Sequence, residues 1–159
     1  MTTPTRALTS LVSLLLLGSG PVRAQPAPSA PKDQPHALAA EDLAENERAL
    51  APYIKTARET YPAARARFLD GLPPGQYFFV VTRLVDSKGH WEQVFIRVAT
   101  IAGESITGTI ASEITLVAGF TEGQPYAFTD SELIDWLITK PDGSEEGNVV
   151  GKFLDTYKP

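Results

Sequence analysis

Three carboxylates lie close together in the C-terminal part of the chain, where two of them could act as a general acid and base. Asp130, Glu132 and Asp135 precede Trp136, whose ring could separate the pKa values of two neighbouring carboxyl groups. A structural interpretation also fits: Asp130 and Glu132 cap a helical turn, Asp135 bonds to backbone or an arginine, and Trp136 is in the core. We favour the structural interpretation and keep a small hydrolase or lyase as the alternative.

The residues needed for other familiar catalytic centres are missing or misplaced. The stretch 103–107 around Ser105 misses the Gly-x-Ser-x-Gly pattern by one residue, and His90 is the single histidine of the expected folded region. The chain has no cysteine, which excludes thiol chemistry and cysteine-bound zinc. The stretch 142–148 looks like a calcium loop, but Phe153 stands where a bidentate glutamate is needed. We therefore predict no catalytic residue, no metal site and no cofactor.

A second group of candidates belongs to a predicted strand. Alternation along this strand puts Phe95 and Arg97 on the face opposite Val94 and Ile96, with Trp91 at its start. Aromatic and arginine side chains are enriched at protein interfaces. We predict that Trp91, Phe95 and Arg97, or the corner 130–136, contact a protein or envelope partner; the alternative for each is core packing.

The first 24 residues predict a cleavable export signal. Arg6 supplies a positive charge, residues 8–17 are mostly apolar, and residues 22–24 form a small-x-small cleavage site. The apolar stretch is shorter than the about 20 residues that span a bilayer, so a retained anchor is the less favoured alternative. We expect a periplasmic or secreted protein with a disordered proline-rich linker over 25–36 and one domain over 37–159.

The charge of the chain limits its partners. The net charge is −5, and loss of Arg6 and Arg23 with the signal would make it −7. A negative chain repels nucleic-acid phosphates and anionic lipids, so we predict neither as a partner. An inhibitor or immunity-type protein that acts through an acidic surface stays a further alternative.

Apolar periodicity predicts helices followed by a sheet. A helical stripe is expected within 37–72, and Pro52 and Pro62 predict breaks near 51 and 61 that leave two or three short helices. From Gln76 the period becomes two. The predicted strands cover 77–85, 91–101, 106–111, 113–117, 125–129, 136–139 and 148–155. The Thr129-x-x-Glu132 spacing adds a capped helical turn. The predicted fold is α+β, with N-terminal helices packed on a curved, mainly antiparallel sheet of five to six strands.

A series of short motifs runs in order over about 100 positions. They are found at 57–60, 68–69, 92–96, 106–110, 119–123, 134–136 and 150–153. In these motifs the chain resembles the YegJ-like proteins, grouped as domain-of-unknown-function family 2314. Gln93 and Phe95 replace the family's usual histidine and tryptophan, and Gln124 replaces a usual aspartate. The resemblance implies an α+β fold, supplies no substrate and argues against catalysis. We expect an exported, non-catalytic interaction or structural module.

Overall fold

An antiparallel sheet of six strands organises residues 43–157, the part of the chain that the computed structural model describes. The elements, in chain order, are α1 (Leu43–Asp70), β1 (Tyr77–Val85), β2 (Trp91–Ala102), β3 (Ser105–Ile110), β4 (Pro125–Thr129), a 3₁₀ turn (Asp130–Glu132), β5 (Asp135–Thr139), β6 (Glu145–Gly147) and α2 (Val149–Leu154). The strands lie in the order β4-β3-β2-β1-β5-β6, and the sheet is open. The predicted α+β class is confirmed. The export signal and the linker fall outside the described residues.

A single helix replaces the two or three short helices expected before the sheet. α1 continues through both Pro52 and Pro62, although each proline removes one backbone N–H. Tertiary packing holds the helix continuous between the two prolines, where Ala57 is fully buried against the sheet. The indole Nε1 of Trp136 donates to the Ala57 carbonyl at 3.1 Å, and the Thr60 hydroxyl donates to the same oxygen at 3.1 Å.

Both faces of the sheet bury apolar side chains, and α1 serves both. Its second half contributes Ala57, Tyr61 and Ala64 to the first core, beside Phe78 and Trp136. Its first half packs with α2 on the opposite face of the sheet, in a second core. This second core consists of Leu50, Phe79, Val81, Phe95, Ile134, Leu137 and Val150. β5 is the strand that α1 contacts most. The helix therefore lies alongside β5 and joins the two cores.

Two predicted strands are wrong. Residues 113–117 form an irregular loop because the buried carboxylate of Glu92 accepts hydrogen bonds from the amides of Thr115, Leu116 and Val117 at 2.9–3.4 Å. Amides held in this way cannot pair with a strand. The C-terminal stretch predicted as a strand over 148–155 contains α2 instead.

α2 begins beside a buried carboxylate. The Oδ2 atom of Asp135 accepts a hydrogen bond from the Val150 amide at 2.7 Å, so one of the free N–H groups at the start of the helix is satisfied. Val150 and Phe153 then lie one turn apart on the side that packs in the second core. A short apolar run suits a strand or a helix equally well, and this contact with β5 selects the helix.

Candidate functional site

A groove opens between the first half of α1 and strands β1 and β2, on the face of the sheet that carries the second core. Its volume is about 590 Å³ and it is open to solvent. The residues that line it are Glu47, Leu50, Ala51, Ile54, Lys55, Arg58, Glu59, Arg83 and Gln93. The helix supplies an apolar wall and a charged rim, and the sheet supplies two long polar side chains.

Helical and strand periodicity explain why these residues meet. Leu50 and Ile54 are four residues apart and therefore share one face of α1, with the small Ala51 beside them. Arg83 on β1 lies opposite Gln93 on β2 in the antiparallel register, so both side chains point to the same face of the sheet. Leu50 also packs in the second core, which fixes the helix over the strands and keeps the groove's shape.

Arg83 is the cation that the sheet supplies to the groove. Its guanidinium lies 4.2 Å from the centre of the Trp91 ring, and its Nη2 atom is 3.3 Å from the Glu47 carboxylate. The Nε atom is buried and has no hydrogen-bond partner among the described residues. The stacking holds the guanidinium plane in place, and among the described residues its hydrogen-bond acceptor is the Glu47 carboxylate.

The sequence placed Trp91, Phe95 and Arg97 together, and the structure separates their roles. Trp91 is half-buried beside Arg83. Arg97 is also half-buried, and its guanidinium lies 4.2 Å from the centre of the Tyr77 ring on the same face. Phe95 is only 6% exposed and belongs to the second core. Phe95 is therefore a core residue, and the prediction that it contacts a partner is corrected.

The three carboxylates at 130–135 are not arranged as an acid and base pair. Glu132 accepts a hydrogen bond from the Thr129 amide at 2.9 Å, as the predicted capping box requires. Asp135 is buried, and its two oxygens accept from the amides of Trp136 and Val150 at 2.8 and 2.7 Å. Burial raises the pKa of Asp135, and the hydrogen bonds from these amides oppose the rise. Asp130 is half-buried.

Trp136 is part of the core, as the structural interpretation predicted. Its side chain is 6% exposed, and its ring centre lies 6.4 Å from that of Phe78. None of the residues 130–136 lines the groove. The corner therefore serves folding through capping, burial and the start of α2.

A second polar cluster escaped the sequence analysis. Asp86 accepts hydrogen bonds from the ring Nδ1 of His90 at 2.9 Å and from the amides of Lys88 and His90 at 2.8 and 2.9 Å. Burial opposes ionisation of Asp86, but these hydrogen bonds and one from the Ala118 amide lower its pKa to about 2. Together with Glu92, Asp86 fastens the loop around 115–118 to the β1–β2 hairpin. His90 is occupied by this contact, as expected of a structural histidine.

Comparison of the chain with models of protein families, with curated proteins and with solved structures produced no match. Within residues 43–157, no three histidine, cysteine, aspartate or glutamate side chains are grouped so as to hold a metal ion. No helix in this part of the chain is long and apolar enough to cross a membrane.

The groove residues had only weak signals in the sequence. Leu50 and Ile54 belong to the apolar stripe of α1, a pattern that predicts only burial in a core. Arg83 is the one charged residue in the nine residues of β1, and a charge within an otherwise apolar strand was the available signal. Its stacking on Trp91 and its proximity to Glu47 depend on tertiary contacts that spacing alone does not reveal.

Proposed function

We propose that the protein is an exported, non-catalytic binding module that holds a short segment of a partner protein in the groove between α1 and the β1–β2 face. Export and the relation to the YegJ-like family remain predictions from the sequence and are part of this proposal. The observation that carries it is the groove itself, whose apolar wall of Leu50, Ala51 and Ile54 is bordered by charged side chains.

The size and lining of the groove suit a peptide side chain. Ligand sites in proteins commonly occupy about 300–1,000 Å³ and combine an apolar lining with a few polar groups. Protein interfaces likewise have an apolar centre and a polar rim. Val85, which is 54% exposed, lies opposite Trp91 in register on the same strand face as Arg83. These residues extend the contact surface beyond the groove.

Binding is favoured over catalysis because the candidate catalytic carboxylates already have structural partners. Asp135 and Glu132 accept backbone hydrogen bonds and neither borders the groove. The groove's own acidic residues, Glu47 and Glu59, lie close to Arg83 and Lys55 respectively. A module that recognises an extended segment needs no reactive group and uses this surface as it stands.

Selection from a random peptide library displayed on phage tests the proposal. We expect the chain from residue 25 onward to enrich peptides with an apolar side chain. The variant Ala51→Arg should lose these peptides by at least about tenfold in affinity, because the long side chain fills the groove. Ala63→Arg is the matched control, since Ala63 is an exposed alanine of the same helix outside the groove.

Circular dichroism and thermal unfolding should be alike for the two arginine variants, which would assign any loss of binding to the groove. The proposal fails if the library yields no binder. It also fails if Ala51→Arg and Ala63→Arg retain the enriched peptides equally well.

A further inference from the structure

We infer that the bound segment carries a carboxylate next to its apolar side chain and that Arg83 is the residue that selects it. This inference rests on the proposed function and adds the chemistry of the partner. The supporting observation is the state of the Arg83 guanidinium, which is held in place by Trp91 at 4.2 Å and which, among the described residues, has one acceptor, the Glu47 carboxylate at 3.3 Å from Nη2.

Arg83 has more hydrogen-bonding capacity than the described residues use. An arginine has five N–H donors, and the described acceptor is Glu47, at 3.3 Å from Nη2. The Nε atom is buried without a partner among the described residues, so an incoming group meets the two Nη atoms of the side chain, which is 36% exposed. A carboxylate can bind these two atoms in a bidentate manner.

Glu47 shows where such a carboxylate would lie. It reaches Arg83 from α1, across the groove, and its side chain is 53% exposed. Exposed ion pairs contribute little to stability, so a carboxylate of the partner can displace Glu47 at small cost. Gln93, opposite Arg83 in register, adds amide donors at the same place.

The other cations of the groove are engaged elsewhere or are less firmly held than Arg83. Arg58 donates to the carbonyls of Leu133 and Ser131 at 2.8 and 3.1 Å. Lys55 lies 3.8 Å from the Glu59 carboxylate, and its side chain is 77% exposed. Arg83 is fixed by stacking on Trp91 and is therefore the groove cation best placed to bind an incoming anion.

A peptide fits this site better than a fatty acid does, although both combine apolar and carboxylate groups. An acyl chain needs an enclosed apolar tunnel to bury most of its surface. This groove is open, and charged side chains of both signs border it. A peptide can place one apolar side chain against Leu50 and Ile54 while its backbone stays at the polar rim.

Two pools of labelled synthetic peptides test the inference by fluorescence polarisation. Both pools have random flanks; the centre of one is leucine–glutamate and that of the other is leucine–glutamine. We expect the glutamate pool to bind about tenfold more tightly, as a charge-assisted hydrogen bond implies. Arg83→Gln should abolish this preference. Arg97→Gln, which changes the other stacked arginine, should preserve it.

A second variant tests the same point without disturbing Arg83. Glu47→Gln removes the internal competitor and should strengthen binding of the glutamate pool several-fold, leaving the glutamine pool unchanged. A purely structural role for Arg83 would not produce this gain.

The possible failures are distinguishable. Equal binding of both pools, with loss of both in Ala51→Arg, would overturn the inference and leave the binding module intact. Failure of both pools to bind would reject both proposals. Displacement of the peptides by lauric acid at lower concentration than by unlabelled glutamate peptide would identify a fatty acid as the occupant and reject the inference.

Discussion

Gly108 occupies a position in β3 that has no room for a side chain. A Cβ atom there would lie 2.1 Å from the Arg97 carbonyl oxygen and 2.8 Å from a methyl carbon of Ile96. The pairing of β2 with β3 is irregular next to this point, between Val98 and Thr100, as expected of a bulge that brings two backbones together. The close approach requires the glycine, because its φ lies outside the left-handed region and so imposes no such requirement itself.

Replacement of this glycine should therefore disrupt β2–β3 pairing. We expect Gly108→Val to lower the free energy of unfolding by about 3 kcal/mol or more, the upper range for overpacked sites. Thr109→Val, an exposed change in the same strand, should stay within about 0.5 kcal/mol of the parent. Urea unfolding of the three proteins provides the measurement. Equal stability of Gly108→Val and the parent would contradict the close approach.

At the scale of the elements, Trp136 joins the long helix to the sheet. Its Nε1 atom donates to the Ala57 carbonyl at 3.1 Å and lies 3.0 Å from the Thr60 hydroxyl. Its ring packs against Phe78 on the neighbouring strand. The same side chain thus supplies apolar burial to the first core and a hydrogen bond to the segment of α1 that precedes Pro62.

Two substitutions separate these contributions. Trp136→Ala should lower the free energy of unfolding by about 3–5 kcal/mol because it leaves a cavity in the core. Trp136→Phe keeps most of the ring and should cost about 1–2 kcal/mol through loss of the hydrogen bond. Trp91→Phe, at the half-buried tryptophan, is the control. A Trp136→Ala protein that melts at the parent's temperature would refute the role of Trp136 in packing α1 against β5.

At the scale of the whole molecule, stability should depend on pH through carboxyl groups in different parts of the fold. Hydrogen bonds from Ser144 lower the pKa of Asp142, and the hydrogen bond from Arg67 lowers that of Glu146. The pKa of Asp86 is about 2. A carboxyl group with a lowered pKa stabilises the fold above its unfolded pKa, about 3.9 for aspartate, and this contribution is lost as the pH falls through the folded pKa.

Asp135 acts in the opposite direction. Its pKa is raised, chiefly by burial, so its contribution is fully present below the unfolded pKa and is lost as the pH rises through the folded pKa. That change occurs above about pH 3.9, the unfolded value for aspartate, so it lies outside the range in which the lowered groups lose their contributions. We therefore expect a net loss of stability between about pH 4 and about pH 2.

Asp86→Asn isolates one contribution to this loss of stability at acid pH. The variant should lose less stability than the parent does between about pH 4 and about pH 2, because the titrating group with a pKa of about 2 is gone. Asp70→Asn, at the exposed end of α1, provides the matched control. Urea unfolding followed by tryptophan fluorescence at intervals from pH 2 to pH 7 measures the effect. The prediction is contradicted if the free energy of unfolding falls equally steeply with pH in Asp86→Asn and in the parent.

Local patterns predicted several elements correctly for identifiable reasons. Strand β1 follows from its aromatic and β-branched residues, strand β2 from alternating apolar residues, and the turn after Thr129 from its capping box. The same reasoning failed where distant contacts compete with local preference. Pro52 and Pro62 predict breaks that α1 does not have, and the strand predicted over 148–155 is replaced by α2. The candidate site was anticipated only in part: Trp91 borders Arg83, whereas Phe95 is core.

The amino-acid sequence by itself determined the α+β class, because a helical apolar stripe gives way to alternation after Gln76 and closely spaced turns return the strands antiparallel. Tertiary structure decided whether α1 stays continuous, which carboxylates are structural and where a groove forms. These outcomes depend on pairs such as Trp136 with Ala57 and Arg83 with Glu47. Such partners are far apart in the chain, and their interaction energies exist only once the sheet has brought them together.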